Sequence, residues 1–169
     1  MALKSDRSTL QTDISFFMNE AATRGGVAAI STGGSGVSLD NGAAVVTYAA
    51  LPSGKVPVGV LINDMVSIDL TRQHLNQHKD EVQKGGKVTL LTKGWVVTNS
   101  LEGANPSAGD AAFMAHSGNI SATDLSSDDS DGDGRSKIVG RFLSSVDEDG
   151  YAKVFIDLPN TNIDHSVHA

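Results

Sequence analysis

The alternation of apolar and polar residues is clearest near the end of the chain. An apolar run at 138–143 (IVGRFL) is followed by Asp149-Gly150 and by a second run at 151–158 (YAKVFIDL). Two runs rich in β-branched and aromatic residues on either side of an Asp-Gly turn predict a hairpin. Alternation in the second run gives one apolar face, made of Ala152, Val154, Ile156 and Leu158. Phe155 falls on the opposite, polar face, which predicts that a neighbouring strand or subunit covers part of it.

Further apolar runs, separated by Gly, Pro and Asn turn signals, predict strands along most of the chain. They lie at residues 27–31, 37–39, 43–49, 56–70, 87–93, 95–99, 110–115 and 119–122. Asn41-Gly42 predicts a tight turn that joins two of these runs in a hairpin, and Gly94 predicts a break between two others. Strands at such frequent spacing predict an all-β fold, either a small β-barrel or a sandwich of short antiparallel strands.

The first 24 residues fit two different elements. A helix capped by Ser8 would share one apolar stripe, made of Leu10, Ile14, Phe17 and Met18. A strand would alternate a different set, made of Ile14, Phe16 and Met18. Apolar residues on several faces are typical of an arm that packs on another surface, and a short helix on the core fits equally. We therefore divide the chain into an N-terminal arm at 1–24, a β-domain at 25–159 and a polar tail at 160–169.

Composition and charge limit the classes of partner. Gly is frequent, at 18 residues, and aromatic residues make up only 5% of the chain, which favours short strands and tight turns over a helical bundle. The net charge of −7 and the scattered 13 Lys and Arg argue against nucleic-acid binding. The absence of cysteine excludes disulfides and thiolate metal sites and fits assembly in a reducing cytoplasm. No apolar run is long enough to predict a membrane span or a secretory signal.

One acidic segment partly matches a calcium-binding loop. Residues 129–134 (DSDGDG) reproduce the opening of such a loop, in which Asp129, Asp131 and Asp133 would converge on the cation. The twelfth position is Gly140, where the motif requires a glutamate. The segment is therefore read as a solvated acidic loop, with a calcium site of another kind as the alternative. No cofactor is expected.

Other chemical motifs are incomplete, so the sequence predicts no enzyme. His74 and His78 share the spacing of two metal ligands on a helix, but no third ligand lies near them in the sequence. His116 precedes a Ser-Gly turn and has no recognisable partner for nucleophilic catalysis. The glycine-rich residues 33–36 lack the lysine and the following helix of a phosphate-binding loop.

Several stretches together carry a family resemblance. Residues 109–112 (GDAA), 118–121 (GNIS), 138–143 and 149–156 (DGYAKVFI) follow one another in an order that resembles the C-terminal part of head decoration, or cement, proteins of tailed bacteriophages. Residues 56–61 (VPVGVL) and a hairpin at 87–99 are similar to the same group. The resemblance spans residues 25–158 in outline.

The resemblance implies a non-enzymatic virion protein that binds the outside of an assembled capsid and stabilises it. It implies a homotrimer whose other partner is the major capsid protein. We expect the N-terminal arm to supply the capsid contacts, through Leu10, Ile14, Phe16, Phe17 and Met18. Deletion of residues 1–20 should then abolish capsid binding and leave the domain folded. The alternative is a calcium-dependent adhesin or fibre domain that binds a host surface or glycan through the acidic segment at 129–133.

Overall fold

Short strands dominate the computed structural model, which describes residues 3–4, 6–31, 45–64, 81–125 and 136–158. The strands are β1 (Ser8–Asp13), β2 (Phe17–Met18), β3 (Ala22–Thr23), β4 (Val27–Ile30), β5 (Val45–Thr47), β6 (Pro57–Asp64), β7 (Glu81–Val82), β8 (Val88–Thr98), β9 (Leu101–Glu102), β10 (Ala111–Met114), β11 (Ile120–Ser121), β12 (Ile138–Phe142) and β13 (Ala152–Asp157). The one helical element in these residues is a 3₁₀ turn at His116–Gly118. The predicted all-β class is therefore confirmed.

The predicted hairpin near the end of the chain is confirmed. β12 pairs antiparallel with β13, with Arg141 opposite Phe155 and Phe142 opposite Val154. Gly150 takes a φ of +83° in the connecting turn, as the Asp-Gly signal requires. The inner face of β13 is buried throughout, and Phe142, which is also buried, packs in the same cluster. Local turn chemistry and alternation are enough to specify this unit.

The predicted break at Gly94 is wrong, because β8 runs through it as one strand of 11 residues. Gly94 is required for a different reason, namely the close approach of β1. A Cβ atom at this position would lie 2.1 Å from the backbone oxygen of Ser8, and the glycine has a φ of +142°. The contact joins residues far apart in sequence, so no local pattern distinguishes it from a turn.

β8 is the strand that holds the sheet together. Leu91 pairs with both Thr12 of β1 and Val60 of β6, whereas Trp95 pairs with both Ser8 of β1 and Phe155 of β13. A strand has only two hydrogen-bonding edges. β1 therefore lies along one edge, and β6 and β13 follow one another along the other.

The described strands form a sandwich-like arrangement with an open, mixed sheet, and the barrel alternative is wrong for this part of the chain. The order is β2-β5-β4-β6-β8-β13-β12-β10-β11-β9, with β1 on β8 and a separate β3-β7 pair. Two pairs are parallel, β2 with β5 and β9 with β11, and the others are antiparallel. Buried side chains form two clusters, a larger one that includes Phe142 and Leu91 and a smaller one that includes Leu61 and Leu90.

The N-terminal residues form strands, and the helical interpretation of this segment is wrong. Leu3 belongs to the larger buried cluster, while Met18 and Ala22 belong to the smaller one. Deletion of residues 1–20 would therefore remove the core side chains of Leu3 and Met18 as well as the exposed residues of this segment. The division into arm, domain and tail stays a prediction.

Several predicted features lie outside the described residues. They are the glycine-rich residues 33–36, the strand at 37–39, the Asn41-Gly42 turn, the end of the run at 56–70 (residues 65–70), His74, His78, the acidic residues Asp129, Asp131 and Asp133, and the tail at 160–169. No helix in the described part of the chain has the length and apolar character needed to cross a membrane.

Candidate interaction surface

A row of directly opposed residues crosses five strands on the outer side of the sheet. Ser8 of β1 lies opposite Trp95, Trp95 opposite Phe155, Phe155 opposite Arg141, and Arg141 opposite Ala111. Opposed residues on neighbouring strands point to the same side of a sheet. Val154 and Ile156 are buried on the inner side, so Phe155 and its row face outward.

We call the surface around this row the outer face. It comprises Leu10, Lys93, Trp95, Val97, Arg141, Leu143, Lys153, Phe155 and Asp157. Trp95, Val97 and Phe155 are half-buried, and Leu143 keeps 43% of its surface exposed. Such a set combines aromatic residues with an arginine, a composition that is enriched in protein–protein interfaces.

Trp95 is held in place by a charged neighbour. The Nζ atom of Lys153 lies 4.8 Å from the centre of the indole ring, a cation–π distance, and 3.5 Å from a carboxylate oxygen of Asp6. The indole Nε1 is buried and has no hydrogen-bond partner in the described residues. The ring is therefore fixed on the outer face by packing and by Lys153.

Leu10 projects from a β-bulge at the edge of this surface. Thr9 pairs with Gly94 and Gln11 with the preceding residue, Lys93, so Leu10 is an additional residue in β1. A bulge sets two successive residues against one on the partner strand and re-aims a side chain. Leu10 has 63% of its surface exposed, the largest fraction among the large apolar side chains in the described chain. Gly94 permits the bulge, because no side chain fits between it and β1.

Two of the three cationic side chains on the outer face form ion pairs within the described residues. Lys93 forms an ion pair with Asp157 at 3.2 Å, and Lys153 pairs with Asp6. Arg141 is exposed and forms no ion pair within the described residues. Exposed pairs of this kind contribute little to folding. Their effect here is to neutralise two of the three cations and leave Arg141 available.

The N-terminal segment is fastened to the hairpin turn next to the outer face. The Nζ atom of Lys4 lies 2.6 Å from Asp147 Oδ2, 3.3 Å from Asp149 Oδ2 and 4.4 Å from the centre of the Tyr151 ring. The hydrogen bond to Asp147 raises the pKa of Lys4 above its usual 10.5 and lowers the pKa of Asp147 below 3.8. Leu3 is buried immediately before this contact, so β1 is anchored at its start.

The structure separates the five residues predicted to bind the capsid. Leu10 is highly exposed, whereas Ile14, Phe16 and Phe17 are half-buried. Phe16 packs against the smaller buried cluster, and Lys87 lies 5.5 Å from the centre of the Phe17 ring. Met18 is fully buried and is not available to a partner in this conformation. The capsid-binding role of this set stays a prediction.

Neither Arg141 nor Trp95 is among the site residues predicted from the sequence. The signal for Trp95 was the alternation of Lys93, Trp95 and Val97, which share a face once β8 is recognised as one strand. Arg141 carried no signal of its own. Its position opposite Phe155 depends on the register of the β12–β13 hairpin.

A second, smaller feature lies beside β9 at the other end of the sheet. His116 Nδ1 is 2.8 Å from Glu102 Oε1, and the His116 backbone N–H donates to Glu102 Oε2 at 2.9 Å. A groove of about 230 Å³ adjoins this pair and is lined by Leu101, Asn105, Ile120 and Val146, among others. Glu102 thus holds the 3₁₀ turn in place. The described residues contain no group of three side chains able to hold a metal ion.

The chain matches a protein-family model over most of its length. The model of the structural cement protein family (E217 gp24/Pam3 gp6) matches residues 3–157, which is nearly the whole chain. Among curated proteins no match to this chain is found. The match confirms the resemblance and assigns a structural role in the phage capsid. From β1 to β13, therefore, this chain belongs to the phage structural cement proteins.

Proposed function

We propose that the protein binds the exterior of an assembled phage capsid, with the major capsid protein as its partner, and stabilises the shell as a homotrimer. A ligand that binds the assembled shell and not its separated subunits stabilises the shell by mass action. The observation that supports the proposal is the exposure of Leu10 on a bulge beside Trp95 and Phe155 of the outer face. An acidic protein also suits a position away from the packaged DNA.

Three residues of the outer face can each contribute substantially to the binding energy of an interface. Burial of a leucine side chain contributes about 1.5–3 kcal/mol relative to leaving it exposed. Tryptophan and arginine are common at the positions where truncation weakens an interface most. Leu10 and Trp95 lie on the neighbouring strands β1 and β8, and Arg141 lies on β12, which is separated from β8 by β13 alone. One partner surface can therefore contact all three.

Leu10→Asp tests the proposal with little change to the fold, because Leu10 lies outside both buried clusters. The substitution should weaken binding to shells that lack this protein by ~10-fold or more, since it removes apolar contact and introduces a charge. Leu51→Asp is the matched control, because Leu51 is 55% exposed on the loop between β5 and β6. Equal binding by the two variants would refute a capsid contact at Leu10.

The homotrimer is tested by native mass spectrometry of the free protein and by counting copies per site on decorated shells. A mass of three chains in solution, or threefold groups on the shell, is expected. The exterior position is tested by protease treatment of intact decorated shells, which should digest this protein first. Full protection by the closed shell would place the protein inside and contradict the proposal.

A further inference from the structure

We infer that the outer face recognises a carboxylate of the capsid protein and that Arg141 binds it. The inference rests on the proposed function, since it names the chemistry of the partner at the same surface. It goes further in assigning one residue to one chemical group.

Arg141 is the exposed residue of the row, between Phe155 and Ala111. Phe155 lies directly opposite on one neighbouring strand and Ala111 directly opposite on the other. Ala111 is too short to cover a guanidinium group, and the Phe155 ring offers an apolar wall beside it. The arginine side chain is exposed, so a partner can reach its donors.

The neighbouring cations leave Arg141 as the group that an anion would meet. Lys93 is held by Asp157 and Lys153 by Asp6, at 3.2 and 3.5 Å. Arg141 forms no such pair in the part of the chain that the structure describes. Burying this charge in an interface without a partner would be costly, whereas a carboxylate accepts two parallel N–H bonds from a guanidinium.

A protein carboxylate fits this surface better than nucleic acid does. Binding to a phosphate backbone requires several cations that are free to replace counterions. The outer face offers one, and the chain as a whole carries a net charge of −7. Trp95 and Phe155 also favour a partner that brings apolar side chains beside its acidic group. An Asp or Glu flanked by apolar residues has this combination.

A series of substitutions at Arg141 tests the inference, with shells assembled without this protein as the probe. Affinity should fall in the order Arg, Lys, Gln, Glu, because Lys keeps the charge, Gln removes it and Glu reverses it. Arg141→Gln should bind ~10- to 100-fold more weakly than the unaltered protein. Lys55→Gln and Lys55→Glu are the controls, since Lys55 is exposed on the loop before β6. These controls should bind like the unaltered protein.

Two results would overturn the inference. Equal affinity of Arg141→Gln and Arg141→Glu would mean that the partner group is not acidic. A change in the native mass of free Arg141→Glu would mean that a second copy of this chain occupies the face. If Leu10→Asp weakens binding while the Arg141 series is flat, the inference fails alone. If the unaltered protein does not bind shells, the proposed function and the inference fail together.

Discussion

Replacing Gly94 with alanine perturbs the point at which β1 meets the centre of the sheet. The backbone at Gly94 has a φ of +142°, a conformation that side-chain-bearing residues rarely adopt, at a cost on the order of 1–3 kcal/mol. The new Cβ would also lie 2.1 Å from the Ser8 oxygen and 3.3 Å from the Leu10 nitrogen. Both neighbours are backbone atoms, so β1 itself must move.

The expected loss in the free energy of unfolding is about 2–4 kcal/mol, the sum of the backbone strain and the displacement of β1. For a chain of this size the loss corresponds to a fall in Tm of about 4–16 °C. Thermal unfolding measures the total. Hydrogen exchange locates it, because amides of Ser8–Asp13 should lose protection while those of β12 and β13 keep theirs.

Gly54→Ala separates the clash from the effect of backbone conformation. Gly54 has a φ of +64°, and no atom lies within 4 Å of the place that a Cβ would take, so alanine there should cost only about 1–2 kcal/mol. If Gly94→Ala is no more destabilising than Gly54→Ala, or if the β1 amides keep their protection, the close contact between Gly94 and Ser8 does not hold β1 in place.

Two further substitutions test buried and exposed polar contacts. The Tyr48 hydroxyl donates to Thr23 O at 2.5 Å and accepts from the Gly26 N–H at 3.1 Å, and burial raises the pKa of this phenol. Tyr48→Phe leaves both backbone groups without this partner and should cost about 1–3 kcal/mol in chemical denaturation; no measurable loss would contradict the assignment. Lys4→Met removes the ion pair with Asp147. The folded pKa of Asp147 lies below 3.8, so its contribution to the stability of the folded state is present above pH 3.8 and is lost as the pH falls through the folded pKa. The folded pKa of Lys4 lies above 10.5, so its contribution to stability is lost only as the pH rises through that raised value. The Tm difference between Lys4→Met and the unaltered protein should therefore be largest near neutral pH and shrink below about pH 4, and a constant difference would argue against the pair.

The parts of the fold that depend on residues close together in the sequence could be predicted from it. The β12–β13 hairpin depends on alternation over a few residues and on Gly150 in the turn, and both are visible in the sequence. The strands β4 and β10 follow from short apolar runs in the same way. Each of these predictions depends only on the apolar and polar pattern and the turn residues within one short stretch of sequence.

Long-range contacts account for what the sequence did not predict. Gly94 looks like a turn residue until Ser8 is known to lie against it. β2 is only two residues long and pairs parallel with β5, so its apolar residues carry no recognisable period. Leu10 was predicted as a contact residue because it is an apolar residue of the N-terminal arm. Its exposure depends on a bulge that only the pairing of β1 with β8 reveals.

β8 contributes side chains to both buried clusters, with Leu90 in one and Leu91 in the other. Unfolding of either cluster would remove the packing contacts of one face of β8, and the other cluster depends on the same strand. Thermal or mechanical unfolding should therefore disrupt both clusters in one cooperative transition. At its midpoint of thermal unfolding, a sample should therefore contain folded and unfolded molecules, with no form that has lost one buried cluster and kept the other.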